Sequence, residues 1–314
     1  MIRAFAYHKK RFKELKELSS VNGNLWISVI SPKKHEIEKL EKVFGLHPTT
    51  VEDVSTHQTR IKYEEFDEYT LIVFSGIKEI TGTKSDWRSI YFILGKNFLI
   101  TICEEPFDTI NNFLSEYKKI EPVLKKGADL MLYHILDAEI DKYLDIREKL
   151  FEDLINVENQ ILRNPDKELL DKLFKKEILT LDIKQKVESV AEVCFRLQKA
   201  SEKFINNSLL PYYRDIYDHI LRVDERLRNI LDRLDSMGNA YMSMVSNKMN
   251  ETIRVLTIIT VIIMPLTFIT GFYGMNILLP IQRNPLAWII LSVLMLVLML
   301  IMVLIFKRKN WIGK

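Results

Sequence analysis

Near the C-terminus, a largely apolar stretch carries a stripe of residues at alternating steps of three and four: Asn250, Ile253, Leu256 or Thr257, Thr260, Met264, Thr267, Gly271 and Gly274. On a helix this spacing gathers them on one side. The opposite side carries Val255, Ile258, Ile259, Ile262, Ile263, Leu266 and Ile269. One side is therefore largely small or hydroxylated, and the other suits lipid or a neighbouring apolar helix. Two chemistries fit the first side. Thr and Gly permit close helix packing, and a threonine can bond back to its own helix; the same residues can wet an aqueous path with neutral oxygens. Pro265 removes one helical hydrogen bond and frees a carbonyl that must find water or another partner, which leans toward an aqueous path. No Asp or Glu follows Glu251. A carboxylate proton relay and a carboxylate selectivity ring are thereby excluded, so anything that passes must be recognised by amides, hydroxyls and carbonyls.

The element that positions this stripe has to be a membrane helix. Residues 255–273, VLTIITVIIMPLTFITGFY, carry no charge, and at 1.5 Å per residue such a helix reaches about 28 Å, close to the hydrocarbon core of a bilayer. Residues 286–306 form a second uncharged run, and GMNILLPIQRNP between them is long enough only to return the chain across one membrane face. Neither run is a signal peptide, since Met1 is followed by IRAFAYHKKRF with no apolar h-region. Lys248 and Arg254 precede the first run and Lys307, Arg308 and Lys309 follow the second, while the loop has Arg283 alone. This bias puts both termini in the cytoplasm, and Trp288 and Trp311 suit the interfacial belts.

Whole-chain averages hide this division. Over 314 residues the net charge is +3 and the mean hydropathy −0.02. From residue 255 onward there are five basic and no acidic residues; before it stand 40 basic against 42 acidic, a balance of −2. The positive excess sits beside apolar spans rather than on a basic domain, so it is no argument for nucleic acid. Cys103 and Cys194 fall in the cytoplasmic part, where free buried thiols are the default. No CxxC occurs and none of the six histidines is paired at metal-ligand spacing.

The first 125 or so residues read as α/β. Strands are expected over residues 2–7, 25–30, 69–80, 87–94 and 98–103, with TGTKSD and GKN turning the last three into antiparallel hairpins. Helices are expected to start at Ser31-Pro32, with Ser as cap, and at His47-Pro48. Long charged helices follow, one over 130–162 and another over 167–209, turning at RNPD. Between Pro211 and Pro265 lie 53 residues interrupted only by Gly238, about 80 Å of helix if unbroken. Within them Ile216, Ile220, Val223, Leu227, Ile230, Leu234, Met237, Tyr241 and Met244 make a heptad seam. The seam calls for partner helices; a bundle of identical stalks perpendicular to the membrane is expected, against the alternative of one amphipathic helix lying on a globular domain. The division is then 1–125 cytoplasmic α/β domain, 126–210 helical hairpin, 211–254 stalk helix continuing into the first span, 255–273 first transmembrane helix, 274–285 external loop, 286–306 second transmembrane helix and 307–314 basic cytoplasmic tail.

At the mouth of the stripe stands Tyr273-Gly274-Met275-Asn276, within MPLTFITGFYGMN. Placed between two C-terminal spans after a long charged helix, it resembles the signature of the CorA family of magnesium channels. GLHPTTVEDV and the following HQTRIKYEEFDEY, PYYRDIYDH at 211–219 and SNKMNE before the first span extend the resemblance over the whole chain. It implies a homopentamer in the cell membrane with five first spans around a pore, second spans outside them and a cytoplasmic α/β funnel. Mg2+ is then the transported and regulatory ion, with Co2+, Ni2+ and Zn2+ as candidates of similar hydrated size and charge, and no other cofactor. Asn276 becomes the selectivity filter: magnesium dehydrates reluctantly, and a ring of amide oxygens can hold the hydrated ion through its waters. Gly274 permits the turn at the helix end, and Tyr273 and Met275 support the loop. Asn250 offers a second polar ring, Ile253, Leu256 and Met264 are apolar steps that can close by dewetting, and Thr260, Thr267 and Gly271 line the stretch between. The choice between Leu256 and Thr257 stays open.

The resemblance also implies gating by the conducted ion. Asp53 of one subunit and Asp215 of the next are the candidate carboxylates, with Glu52 and Asp218 as helpers; without it, Asp53 would read as a helix cap and Asp215 as a solvated face. The external loop departs from acidic-loop relatives in carrying Arg283 and no carboxylate. A zinc or broader divalent-cation transporter of the same architecture is the alternative, and a membrane-tethered coiled-coil scaffold a more distant one. An enzyme lacks support, for there is no Gly-rich phosphate loop, nucleophile elbow or paired acid and base at recognisable spacing.

Overall fold

The computed structural model describes residues 2–15, 17, 23–56, 60–82, 84–163, 166–277, 279 and 284–311. Arg283, the His57-Gln58-Thr59 stretch and the Asn164-Pro165 turn lie outside them. The chain divides into two compact units, Met1–Gly238 and Asn239–Lys314.

In the first unit the strands are β1 (Ile2–His8), β2 (Arg11–Leu15), β3 (Asn24–Ile30), β4 (Lys62–Glu65), β5 (Tyr69–Thr81), β6 (Lys84–Gly95) and β7 (Phe98–Cys103). They form one sheet in the order β2-β1-β3-β7-β6-β5-β4, with β3 and β7 parallel and every other pair antiparallel. Alternating residues feed two cores, as a period of two requires. Leu25, Ile27 and Val29 of β3, Leu71 and Val73 of β5 and Ile100 and Ile102 of β7 face the cluster that holds Ile37 and Leu40 of α1 (Lys34–Phe44) and Val54 of α2 (Pro48–Thr56). The intervening Trp26 and Phe74 meet Phe113 of α3 (Asp108–Ser115) and Tyr143 of α5 (Ala128–Arg163), at ring-centroid distances of 6.3 and 6.3 Å. α4 (Tyr117–Lys126) precedes α5.

The sheet has two strands beyond those expected. Arg11–Leu15 and Lys62–Glu65 are charged segments at the two sheet edges, where one flank faces solvent and no apolar run is needed. Ser31 is not a helix cap: its backbone is left-handed, φ 52, and its N–H donates to the Cys103 carbonyl at 2.8 Å, prolonging the β3–β7 ladder. Lys33 occupies the cap position, and its N–H donates to the Glu36 carboxylate at 2.8 Å. Pro48 does open α2, in the first turn, where its missing N–H costs nothing.

Gly76 in the long strand β5 is required by packing. A Cβ there would lie 2.3 Å from Phe107 Cε1 and 2.9 Å from a carboxylate oxygen of Glu139, whose buried side chain pairs with Lys142 at 2.8 Å. Gly76→Ala is therefore expected to destabilise the protein by about 1–3 kcal/mol through overpacking, read as a lowered thermal midpoint of the detergent-solubilised chain.

Three long helices complete this unit: α5, α6 (Lys167–Leu197) and the first part of α7 (Leu210–Tyr273). α6 ends at Leu197 rather than near 209. Beyond it, side chains compete for the backbone: Ser201 Oγ accepts from the Lys203 N–H at 3.2 Å, and Asn206 Oδ1 accepts from the Ser208 N–H at 2.9 Å, capping a 3-10 turn at Asn207–Leu209. The seam on α7 finds its partners in its own chain. Ile216, Ile220, Val223 and Leu227 are fully buried and Ile230, Leu234 and Met237 nearly so. Arg233 pairs with Glu158 of α5 at 2.5 Å, Lys184 of α6 approaches Asp224 at 3.8 Å, and the Phe195 and Tyr217 rings lie 5.6 Å apart. This corrects the expectation that identical stalks cover the seam from Ile216 to Met237, because α5 and α6 present matching apolar stripes that shield it within one chain.

Candidate functional site

α7 continues through Gly238 and Pro265 to Tyr273, and the second unit holds the remainder of α7 with α8 (Ala287–Arg308). The two sides of α7 behave differently there. Ile258 is buried and Ile262, Leu266 and Ile269 are half-buried. On α8, Leu291, Met295, Leu298, Met302 and Phe306 are half-buried at helical spacing among exposed neighbours. Asn250, Ile253, Leu256, Thr260, Met264, Thr267 and Gly271 are all exposed. The whole stripe is thus exposed, but so are Val255, Ile259, Val261, Ile263, Phe268 and Phe272; within one chain only the line from Ile258 through Ile262, Leu266 and Ile269 is covered. A Cβ on Gly271 would meet nothing within 4 Å. Leu256 and Thr257 are both exposed.

The threonines are committed as donors. Thr257 Oγ1 donates to the Ile253 carbonyl at 2.8 Å, Thr260 to Leu256 at 2.9 Å, Thr267 to Ile263 at 3.1 Å and Thr270 to Thr267 at 3.0 Å. A hydroxyl whose proton is engaged in this way presents only lone pairs outward. Pro265 leaves the carbonyl one turn earlier without its amide donor, adding a further acceptor. These hydroxyl and carbonyl acceptors favour cations and the outward hydrogens of their hydration water over anions.

At the helix end the Gly274 N–H donates to the Thr270 carbonyl at 2.9 Å and the Met275 N–H to Phe272 at 3.4 Å. A Cβ on Gly274 would sit 3.0 Å from the Thr270 oxygen, tight against backbone that cannot yield cheaply, so glycine suits this close turn. Asn276 follows, exposed, immediately beyond the helix terminus; Met275 is exposed and Tyr273 half-buried, its ring 5.7 Å from that of Phe272.

The acidic candidates lie in the first unit. Asp53 stands in the second turn of α2, so it is not a cap. It pairs with Lys62 of β4 at 2.6 Å, the two side chains 19% and 17% exposed, and Lys62 also reaches Glu64 at 3.0 Å. Burial alone would lower the Lys62 pKa, but the hydrogen bonds and charges of Asp53 and Glu64 outweigh it and raise it. Glu52 is exposed. Asp215 is exposed near the start of α7, 3.6 Å from His219 Nε2, and Asp218 is exposed beside it. Asp215 lies within electrostatic reach of α5: burial raises the Asp137 pKa, with Asp141 and Asp215 adding to the shift against His219 and His134, and the Tyr133 phenol is pushed up to about 12 by burial and by Asp137 and Asp215. Lys62 and Asp137 were not legible as site residues, because only the fold brings Lys62 beside Asp53 and Asp137 within electrostatic reach of Asp215. Among the described residues no three His, Cys, Asp or Glu side chains converge to hold a metal ion. Cys103 and Cys194 are free and buried, each thiol pushed up to about 12 by burial, hence unreactive.

Residues 21–308 match the family described as CorA-like Mg2+ transporter protein. The chain is 30% identical over 295 residues to the cobalt/magnesium transport protein CorA of Thermotoga maritima, covering 91% of this chain and 83% of that one. It is 27% identical over 294 residues to the protein of the same description from Methanocaldococcus jannaschii, covering 92% and 91%. Among solved structures, the complete CorA magnesium transporter from Methanocaldococcus jannaschii superposes with a TM-score of 0.87 at 25% identity over 99% of both chains. The cytoplasmic domain of ZntB from Vibrio parahaemolyticus shares the fold alone, with a TM-score of 0.61 at 16% identity over 78% of this chain and 98% of that one.

Proposed function

The chain belongs to the CorA-like Mg2+ transporter family, a family of membrane transporters rather than enzymes, and from that premise we propose that it is a homopentameric channel admitting hydrated Mg2+ across the cell membrane. The observation that carries this reading is the exposed line of Asn250, Thr260, Thr267 and Gly271 on α7, on the side away from the covered Ile258, Ile262, Leu266 and Ile269 and leading to exposed Asn276, with no carboxylate after Glu251. Five copies of α7 would close that stripe into a pore, leaving α8 outside. Asn276 amide oxygens accept hydrogen bonds from the water shell of the ion, which keeps its inner waters because they leave slowly. Gly274 sets the turn, and Tyr273 and Met275 brace it. Thr260, Thr267 and Gly271 line the wet stretch, Ile253, Leu256 and Met264 close it by dewetting, and Asn250 forms the inner polar ring. The basic flanks of the two spans support an orientation with both termini in the cytoplasm.

Regulation rests on α7, which carries Asp215 and the pore stripe on one continuous helix. Among the described residues no three acidic ligands converge within one chain, and the cation is shared across an interface: Asp53 of one subunit, Asp215 of the next, with Glu52 and Asp218 assisting. Without Mg2+ nothing bridges Asp53 and Asp215 across the interface; with Mg2+ bound between them, they hold neighbouring stalks together and the pore shut.

The test is ion flux into liposomes containing the full chain. Mg2+ and Co2+ should enter and Na+ should not, with Zn2+ run in parallel. Equal flux of all four, or none above protein-free liposomes, overturns the channel reading.

A further inference from the structure

Asp53 does not meet an incoming cation as a bare carboxylate. The Lys62 ammonium lies 2.6 Å from it, and both side chains are less than one-fifth exposed. The lysine backbone is pinned in the sheet, where Lys62 pairs with Val73, so the ammonium is tethered at fixed reach rather than drawn from solution. It also has a second acceptor within reach, since Glu64 lies 3.0 Å away and is 42% exposed. Lys62 and Glu64 line a cleft of about 700 Å3 between β4 and α6, whose other charged lining residues are Arg60, Asp182, Lys186, Glu192 and Arg196. The ammonium can therefore leave Asp53 without being stranded in an apolar environment.

We propose that Lys62 is a tethered counter-ion for Asp53, which a divalent cation must displace toward Glu64 before it can bind. This rests on the regulatory role of Asp53 proposed above and adds what sets its threshold and its selectivity. Binding becomes an exchange. A tethered group acts at an effective concentration in the millimolar range or above, so a potassium ion, with the same charge as the ammonium, gains nothing by replacing it. An ion of twice the charge gains Coulomb energy at the same distance. Lys62 therefore screens out monovalent ions and raises the Mg2+ concentration at which the site fills.

The experiment is calorimetric Mg2+ titration of the full chain in detergent micelles, following the binding component that Asp53→Asn removes. Lys62→Met should lower its half-saturating Mg2+ by about tenfold, the worth of one charged hydrogen bond, and should make it sensitive to 0.3 M KCl, a concentration of roughly the salt range that screens exposed charge. Glu64→Gln should act oppositely, by about threefold, since it leaves the ammonium to Asp53 alone; half a unit on the logarithmic scale is the size of a weak surface pair. In the Lys62→Met background Glu64→Gln should lose most of that effect. An unchanged or raised half-saturation in Lys62→Met overturns the tether while leaving the Asp53 site standing. If Asp53→Asn removes no binding component, both fail. Should Lys62→Met not accumulate as folded protein, an unshifted Glu64→Gln titration overturns the tether by itself.

Discussion

Asn276→Ala is expected to abolish Mg2+ uptake while leaving a folded, assembled protein. The side chain is exposed beyond the end of α7, so its removal opens no cavity in either unit. What disappears is the acceptor that a hydrated ion meets at the mouth. Each amide–water hydrogen bond is worth about 1 kcal/mol net. A ring of five loses on the order of 5 kcal/mol if the terms add, more than a thousandfold in occupancy of the filter. The loss should be common to Mg2+ and Co2+, because both are held through their water. Isotope uptake into liposomes, with size-exclusion behaviour as the assembly control, measures it. Wild-type flux through the variant would remove Asn276 from the conduction path and favour a scaffold in which the spans only anchor.

Asp215→Lys should make conductance indifferent to cytoplasmic Mg2+. The wild-type carboxylate is exposed, beside His219 and within electrostatic reach of Asp137. An ammonium there removes one carboxylate of the interfacial pair and puts a positive charge in its place, so no divalent ion is bound at any Mg2+ concentration and the response no longer follows it. Patch recordings across a Mg2+ titration should give a flat response where the wild type is inhibited. Unchanged inhibition would sink the sensor role of Asp215, and with it the interfacial site, without touching the filter.

The two long apolar helices and the run of Thr and Gly at helical spacing on the first of them are legible in the sequence because each depends on local composition and helical period. The long strands β5, β6 and β7 are legible for the same reason, since buried strands must be apolar and their turns carry Gly. The edges were not. Arg11–Leu15 and Lys62–Glu65 pair through backbone alone on one flank, which leaves no hydrophobic pattern to read. The end of α6 at Leu197 was hidden because its stop depends on Ser201 and Asn206 side chains finding backbone donors, an outcome that composition does not dictate.

The sequence by itself determined that no carboxylate follows Glu251, so that the spans offer only neutral oxygens, and that the α7 seam had to be covered. Which surface covers it was decided only by the tertiary structure: α5 and α6 of the same chain are the covering helices, since apolar stripes are interchangeable in composition and differ only in who reaches them first. Asp53 shows the same limit for charge. Its acidity is written in the sequence, but its partner Lys62 lies on another element, and a carboxylate's readiness for a metal depends on the distance to its nearest cation, which only the fold sets.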